Sequence, residues 1–196
     1  MKYSTALDTD SSLYRITAVR DFGDVKSGDV GGLIESEANL SHDGECWVSD
    51  NAKVSHNAQL SDNAKVYGSA KVYGSARVDG DAQVYGNARV FGDARVSADA
   101  QVSGDAWVSD YAQVSGDARV SGNCWVSDDA QVSDNAKVYG SARVYGEAQV
   151  SGNAQISDNA RVSGDAQVYG DTRVFGSARV TGGTMIAGNE RVSRWV

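Results

Sequence analysis

Proline is absent from all 196 residues, which suits a sheet in which every backbone N–H must find a partner. Histidine is nearly absent too: His42 and His56 are the only two, so few groups titrate in the range that general-base work needs. No apolar stretch is long enough to span a membrane. The opening MKYSTALDTDSS lacks the apolar core of a signal sequence, and a cytoplasmic protein is expected. There is no P-loop, no dinucleotide fingerprint and no G-G-x-G-x-D calcium repeat, so neither a cofactor nor a metal is predicted.

What the chain does have is a six-residue unit that runs without a slip from Val48 to Val192. A branched aliphatic residue occupies all 25 sixth positions, through Leu60, Ile156 and Ile186. Two residues before it stands Ala, except at Cys46, Cys124, Thr172, Thr184 and Glu190. Apolar residues two apart with a long polar residue between them describe a strand with one face inward. The pairs that follow, such as Gly-Asp, Gly-Asn or Asp-Asn, tolerate positive φ and make a tight corner. A helix fails: six residues advance about 600°, so successive Val side chains would point to three different sides.

Three hexads therefore predict a three-cornered coil of 18 residues, with strands of one side stacked in parallel about 4.8 Å apart. The fold class is all-β, a single-stranded solenoid of about eight coils and roughly 40 Å over residues 41–196. Cys46 and Cys124 fall in inward slots on different sides and cannot pair in this arrangement; they are read as small core residues. Residues 1–40 break the repeat. One strand, Leu13 to Val19, is predicted there, followed by turn-rich chain, and the segment is read as an N-terminal cap over an exposed sheet edge. A two-residue insertion between Leu40 and Val48 marks the junction. Glu190 in an inward slot is tolerable only where the coil opens to water, so the solenoid is expected to end there.

The period and residue pattern resemble the bacterial hexapeptide-repeat superfamily, the left-handed parallel β-helices. That resemblance implies left-handed winding, a trimer in many relatives, and acyl-CoA-dependent acyltransferase activity with a His base. The stretch DFGDVKSGDVGGLIESEANLS…GECWVSDNAKV resembles the start of YdcK-like repeat proteins, which are labelled acetyltransferase-like through the repeat.

Stepping by 18 sorts the outward residues onto three flat walls. The wall centred on Val54 to Val180 carries Lys53, Lys71, Arg89, Trp107, Trp125, Arg143, Arg161 and Arg179, flanked by Tyr73, Phe91 and Tyr145. Exposed Trp with Arg beside it has the composition of a binding surface; the same rings could equally shield neighbouring strands as a ladder. A second wall is mixed, with Trp47, Lys65, Arg119 and Lys137. The third is plainer, a column of Gln beside a column of Ser. Asp81, Asp99 and Asp117 stack along one corner, and Asp93, Asp129, Glu147 and Asp165 along another. The net charge is −8, most of it from residues 1–46. Basic walls with acidic edges do not form a nucleic-acid groove, so nucleic acid is not an expected partner; an acidic rod is compatible with mimicry of a polyanion by an inhibitor protein.

The expected function is a non-enzymatic scaffold or protein-interaction module. It would self-associate as a homo-oligomer, or dock a protein partner, through Trp107, Trp125, Arg89, Arg143, Tyr73, Phe91 and Tyr145. The alternative is acyl transfer, for which His42 and His56 are the candidate bases, although no inserted loop encloses an acyl carrier and His56 sits at a corner. Ice binding is disfavoured, because Thr is nearly missing from the repeat (Thr172, Thr181, Thr184).

Overall fold

The computed structural model describes residues 1–195. Every hexad forms a two-residue strand closed by a tight turn, giving 25 rungs from Trp47–Val48 to Arg191–Val192. Rungs three hexads apart pair in parallel, for example Trp107 with Trp125 and Val108 with Val126. One coil is thus 18 residues, and the chain forms three sheets of 11, 9 and 8 strands, parallel throughout the repeat. The walls follow the stepping rule: the Trp wall, the mixed wall and the Gln wall are one sheet each.

Each inward Val from Val48 to Val180 is fully buried, as is each inward Ala. One buried Val stabilises the fold by about 1.5–3 kcal/mol relative to exposure. The column can sum these only because each rung lies on the next. Backbone bonds between coils are regular: Trp107 N donates to the Cys124 carbonyl at 2.8 Å and Ser109 N to that of Val126 at 3.0 Å. Cys46 and Cys124 are buried free thiols. Burial pushes the Cys124 thiol up to about 11, and it raises that of Cys46 against the pull of Lys2.

Corners are made by one left-handed residue per hexad. Gly fills most of these slots, and a side chain often has no room there: a Cβ on Gly122 (φ +80) would meet the Gly140 carbonyl oxygen at 2.7 Å. Of the six Asp residues in such slots, five contribute a side-chain bond between coils. Asp50, Asp128, Asp134 and Asp158 each accept from the N–H of a Gly one coil on, at 2.8–2.9 Å.

Ahead of the repeat the structure departs from the sequence expectation. Three strands stand there rather than one: β1 (Tyr3–Leu7), β2 (Tyr14–Ala18) and β3 (Val30–Ile34). β1 and β2 pair antiparallel, β2 and β3 likewise, and β3 then pairs in parallel with the rung Lys53–Val54. Ile34 thus takes the Val slot one coil below Val54, and Leu40 bridges to Leu60 in the same way. Stacking begins inside residues 1–40. The reason lies in β3, whose Gly31 and Gly32 read as a turn. A Cβ on Gly31 would stand 2.5 Å from Ile16 Cγ1, and one on Gly32 2.6 Å from Val48 Cγ1, so these glycines mark close approach of elements rather than a bend.

The buried polar groups of this region are all satisfied. Asn39 accepts from Glu35 N and Ser36 N and donates to the carbonyls of His56 and Ala58 at 2.8 and 2.9 Å. Lys2 is fully buried; its Nζ donates to the Cys46 carbonyl at 2.9 Å and lies 5.1 Å from the Phe22 ring centroid. At the other end Glu190 is exposed, yet the rung Arg191–Val192 still pairs with Arg173–Val174.

Candidate functional site

The Trp wall is flat because its strand residues alternate strictly, Val inward and a long side chain outward. Pairing in register puts Lys53, Lys71, Arg89, Trp107, Trp125, Arg143, Arg161 and Arg179 in a single column. The column holds six cations and no acid. Among the described residues the ion pairs are Arg15–Asp8, Lys26–Asp21, His56–Glu35 and Lys65–Asp24, so none of the six is engaged.

Its rings pack on one another. The Trp107 and Trp125 rings stack with centroids 5.1 Å apart and planes 4° from parallel. Arg89 lies 5.0 Å from the Trp107 ring and Arg143 5.4 Å from that of Trp125. Tyr73 and Phe91 stack at 5.0 Å, and Phe91 meets Trp107 edge-on at 6.0 Å. Both faces of each indole are therefore covered from within the chain, and their edges point outward. The two indoles thus cannot take a base or sugar ring face to face; they can meet another protein through ring edges beside guanidinium groups. Tyr145 stands apart from the ladder, with Ser127 and Ser163 as its column neighbours.

Sequence reasoning missed two exposed rings near this wall. Tyr111 is 62% exposed at the corner four residues after Trp107; its signal is an aromatic residue in a turn slot. Trp195 is 68% exposed, and Arg179 lies 4.3 Å from its ring.

The two histidines have separate environments. His42 stacks on Tyr3 at 4.4 Å, and its Nδ1 accepts from the Lys2 backbone N–H at 3.3 Å. His56 holds a left-handed corner at φ 59. Its backbone N–H donates to Glu35 Oε2 at 2.6 Å, and its ring Nδ1 lies 3.0 Å from Ser55 Oγ. A crevice of ≈ 430 Å³ opens beside it, lined by Ser11, Leu13, Lys53, Lys71 and Tyr73. The fold thus does not join His42 and His56 in one base site.

Corner carboxylates divide into two kinds. Asp81, Asp105 and Asp171 each accept from an Asn one coil below, at 2.8–3.0 Å. Asp93, Glu147 and Asp165, beside the Trp wall, make no such bond among the described residues. Nowhere among the described residues do three His, Cys, Asp or Glu side chains converge as metal ligands would. No helix there is long and apolar enough to cross a membrane.

Two family models match the chain. One, described as Bactofilin, polymer-forming cytoskeletal, matches residues 58–157 and so includes the Trp107–Trp125 ladder. The other, described as YdcK beta solenoid repeat, matches residues 154–170 and 166–183. Among curated proteins the chain has no match.

Proposed function

Because the chain belongs to the bactofilin family of polymer-forming cytoskeletal proteins, we propose that it is a rigid, non-catalytic rod that associates with copies of itself and offers its walls to protein partners. The observation that carries this reading is the Trp wall: six cations that form no ion pair among the described residues, set around an aromatic stack whose edges face out. A solvated wall of this kind gains by meeting acid and apolar edges on another surface. Trp107, Trp125, Arg89, Arg143, Tyr73 and Phe91 form the docking side, with Tyr145 at its margin.

In this reading the three strands of residues 1–40 act as a cap that covers the first coil, and the rod works in the cytoplasm with both thiols reduced. Electron microscopy and sedimentation of the purified full-length chain test the proposal. Wild type is expected to self-associate, and Trp107→Ser/Trp125→Ser to do so more weakly while keeping its strand signal in circular dichroism. A wild-type chain that stays monomeric at all concentrations defeats the reading.

A further inference from the structure

The Trp wall and its neighbouring edge carry a matched pair of charge columns. Arg89, Arg143 and Arg161 stand at the centre of the wall. Four residues after each, on the corner where this wall turns into the Gln wall, stand Asp93, Glu147 and Asp165. Cation and acid of each set share a coil, and hence a height along the rod. The two columns do not pair with each other inside the chain: among the described residues no ion pair joins them.

Lys53, Lys71 and Arg179 lack the acid, being followed by Asn57, Ser75 and Gly183, and the Trp stretch between Arg89 and Arg143 is filled in kind. Trp107 is followed at the same offset by the exposed Tyr111, and Trp125 by Asp129, an acceptor for an indole N–H. The mixed wall lacks this pattern, since Lys65, Arg119, Lys137 and Arg173 are followed by Ser69, Asn123, Ser141 and Ser177. The Gln wall has it only at Arg77 and Arg95, and there Asp81 already accepts from Asn63.

We infer that the Trp wall docks a second copy of this chain side by side, the two rods parallel and related by a half-turn about a line running along the rod between the two columns. That operation carries each cation column opposite the partner's acid column and each acid column opposite the partner's cations. It sets Arg89 against Asp93, Arg143 against Glu147 and Arg161 against Asp165, each twice over. It also sets Trp107 against Tyr111. The contact is self-complementary, as a two-fold interface requires. It engages six cation–acid pairs that the monomer leaves in water, around an aromatic centre. The inference rests on the self-association proposed above and names its geometry.

Charge reversal in the full chain is the test. All four positions used lie on the outer surface, so the variants are expected to fold; the acidic one should melt slightly lower than wild type, because Arg143 no longer covers the Trp125 ring, and the basic one as wild type does. Arg143→Glu/Arg161→Glu makes the strip acidic on both columns, and Glu147→Arg/Asp165→Arg makes it basic on both. By sedimentation at low salt, each variant alone is expected to pair at least about tenfold more weakly than wild type. An equimolar mixture of the two, and the variant carrying all four changes, are expected to regain pairing. Wild-type pairing should weaken as salt rises to about 0.5 M. Wild-type pairing strength in either variant alone, an unpaired mixture, or a three-copy wild-type mass overturns the two-fold arrangement. The two proposals fail differently. Assemblies of wild-type strength and width in the charge variants defeat this inference alone, whereas a monomeric wild type defeats both.

Discussion

Trp107 and Trp125 stand in register on adjacent rungs, their ring centroids 5.1 Å apart. Each indole is sandwiched, Trp107 between Arg89 and Trp125, Trp125 between Trp107 and Arg143. The stack serves the rod before it serves any partner.

Replacement of Trp125 by Ser should therefore weaken the monomer itself. An aromatic pair contributes about 0.5–1.5 kcal/mol beyond its area and an exposed cation–π contact about 0.5–1 kcal/mol. A loss of about 1–2 kcal/mol in urea unfolding is expected; no loss would mean that the rings stack without stabilising.

The apolar column should resist change in both directions. Val126→Ala removes two methyl groups from a fully buried slot and is expected to cost about 2–3 kcal/mol. Ala130→Val adds two methyl groups to an equally buried corner slot and is expected to cost about 1–3 kcal/mol. Thermal melts of both variants would check this, and a tolerated Ala130→Val would expose slack in the corner.

Asp134 separates backbone conformation from hydrogen bonding. Its φ is 57, and its Oδ2 accepts from Gly152 N at 2.9 Å. Asp134→Ala keeps a Cβ in the left-handed region and removes the acceptor, at an expected cost of about 1–2 kcal/mol. Asp134→Gly removes the same acceptor but frees the backbone, and should cost less. Equal losses in the two variants would assign the whole effect to the hydrogen bond.

Asp79 stands in a column otherwise filled largely by Ser, and burial, followed by the nearby Asp62, raises its carboxyl above the usual carboxylate range. A raised pKa in the fold means that the charged form is disfavoured there. The penalty is absent below the unfolded pKa, grows as pH rises from there through the folded pKa, and stays at neutral pH. Asp79→Ser should accordingly be more stable than wild type at pH 7, with the gain vanishing below about pH 4. Melting curves across that range would show it; an equal gain at every pH would point to packing instead.

Much of this was legible in the sequence because the rod is written one rung at a time. The Val column, the Ala or Cys beside it, the left-handed corner and the assignment of Trp107 and Trp125 to one wall all follow from a fixed step of 18. Features off that step were hidden. β1 has one buried residue, Tyr3, and four exposed ones, so no alternation marks it. β3 was masked by Gly31 and Gly32, whose meaning depends on Ile16 and Val48 arriving from elsewhere. The mutual covering of the indoles was also beyond reach, since stepping fixes which rings are neighbours but not how their planes lie.

The constant lap has a consequence for how such a rod can change in size. Insertion or removal of one whole lap leaves every remaining residue on its wall, at its corner and above its old kind of neighbour, whereas a change of any other size rotates all that follows. Length is thus adjustable in steps of about 4.8 Å without redesign, and the molecule can be tuned like a gauge cut from identical washers.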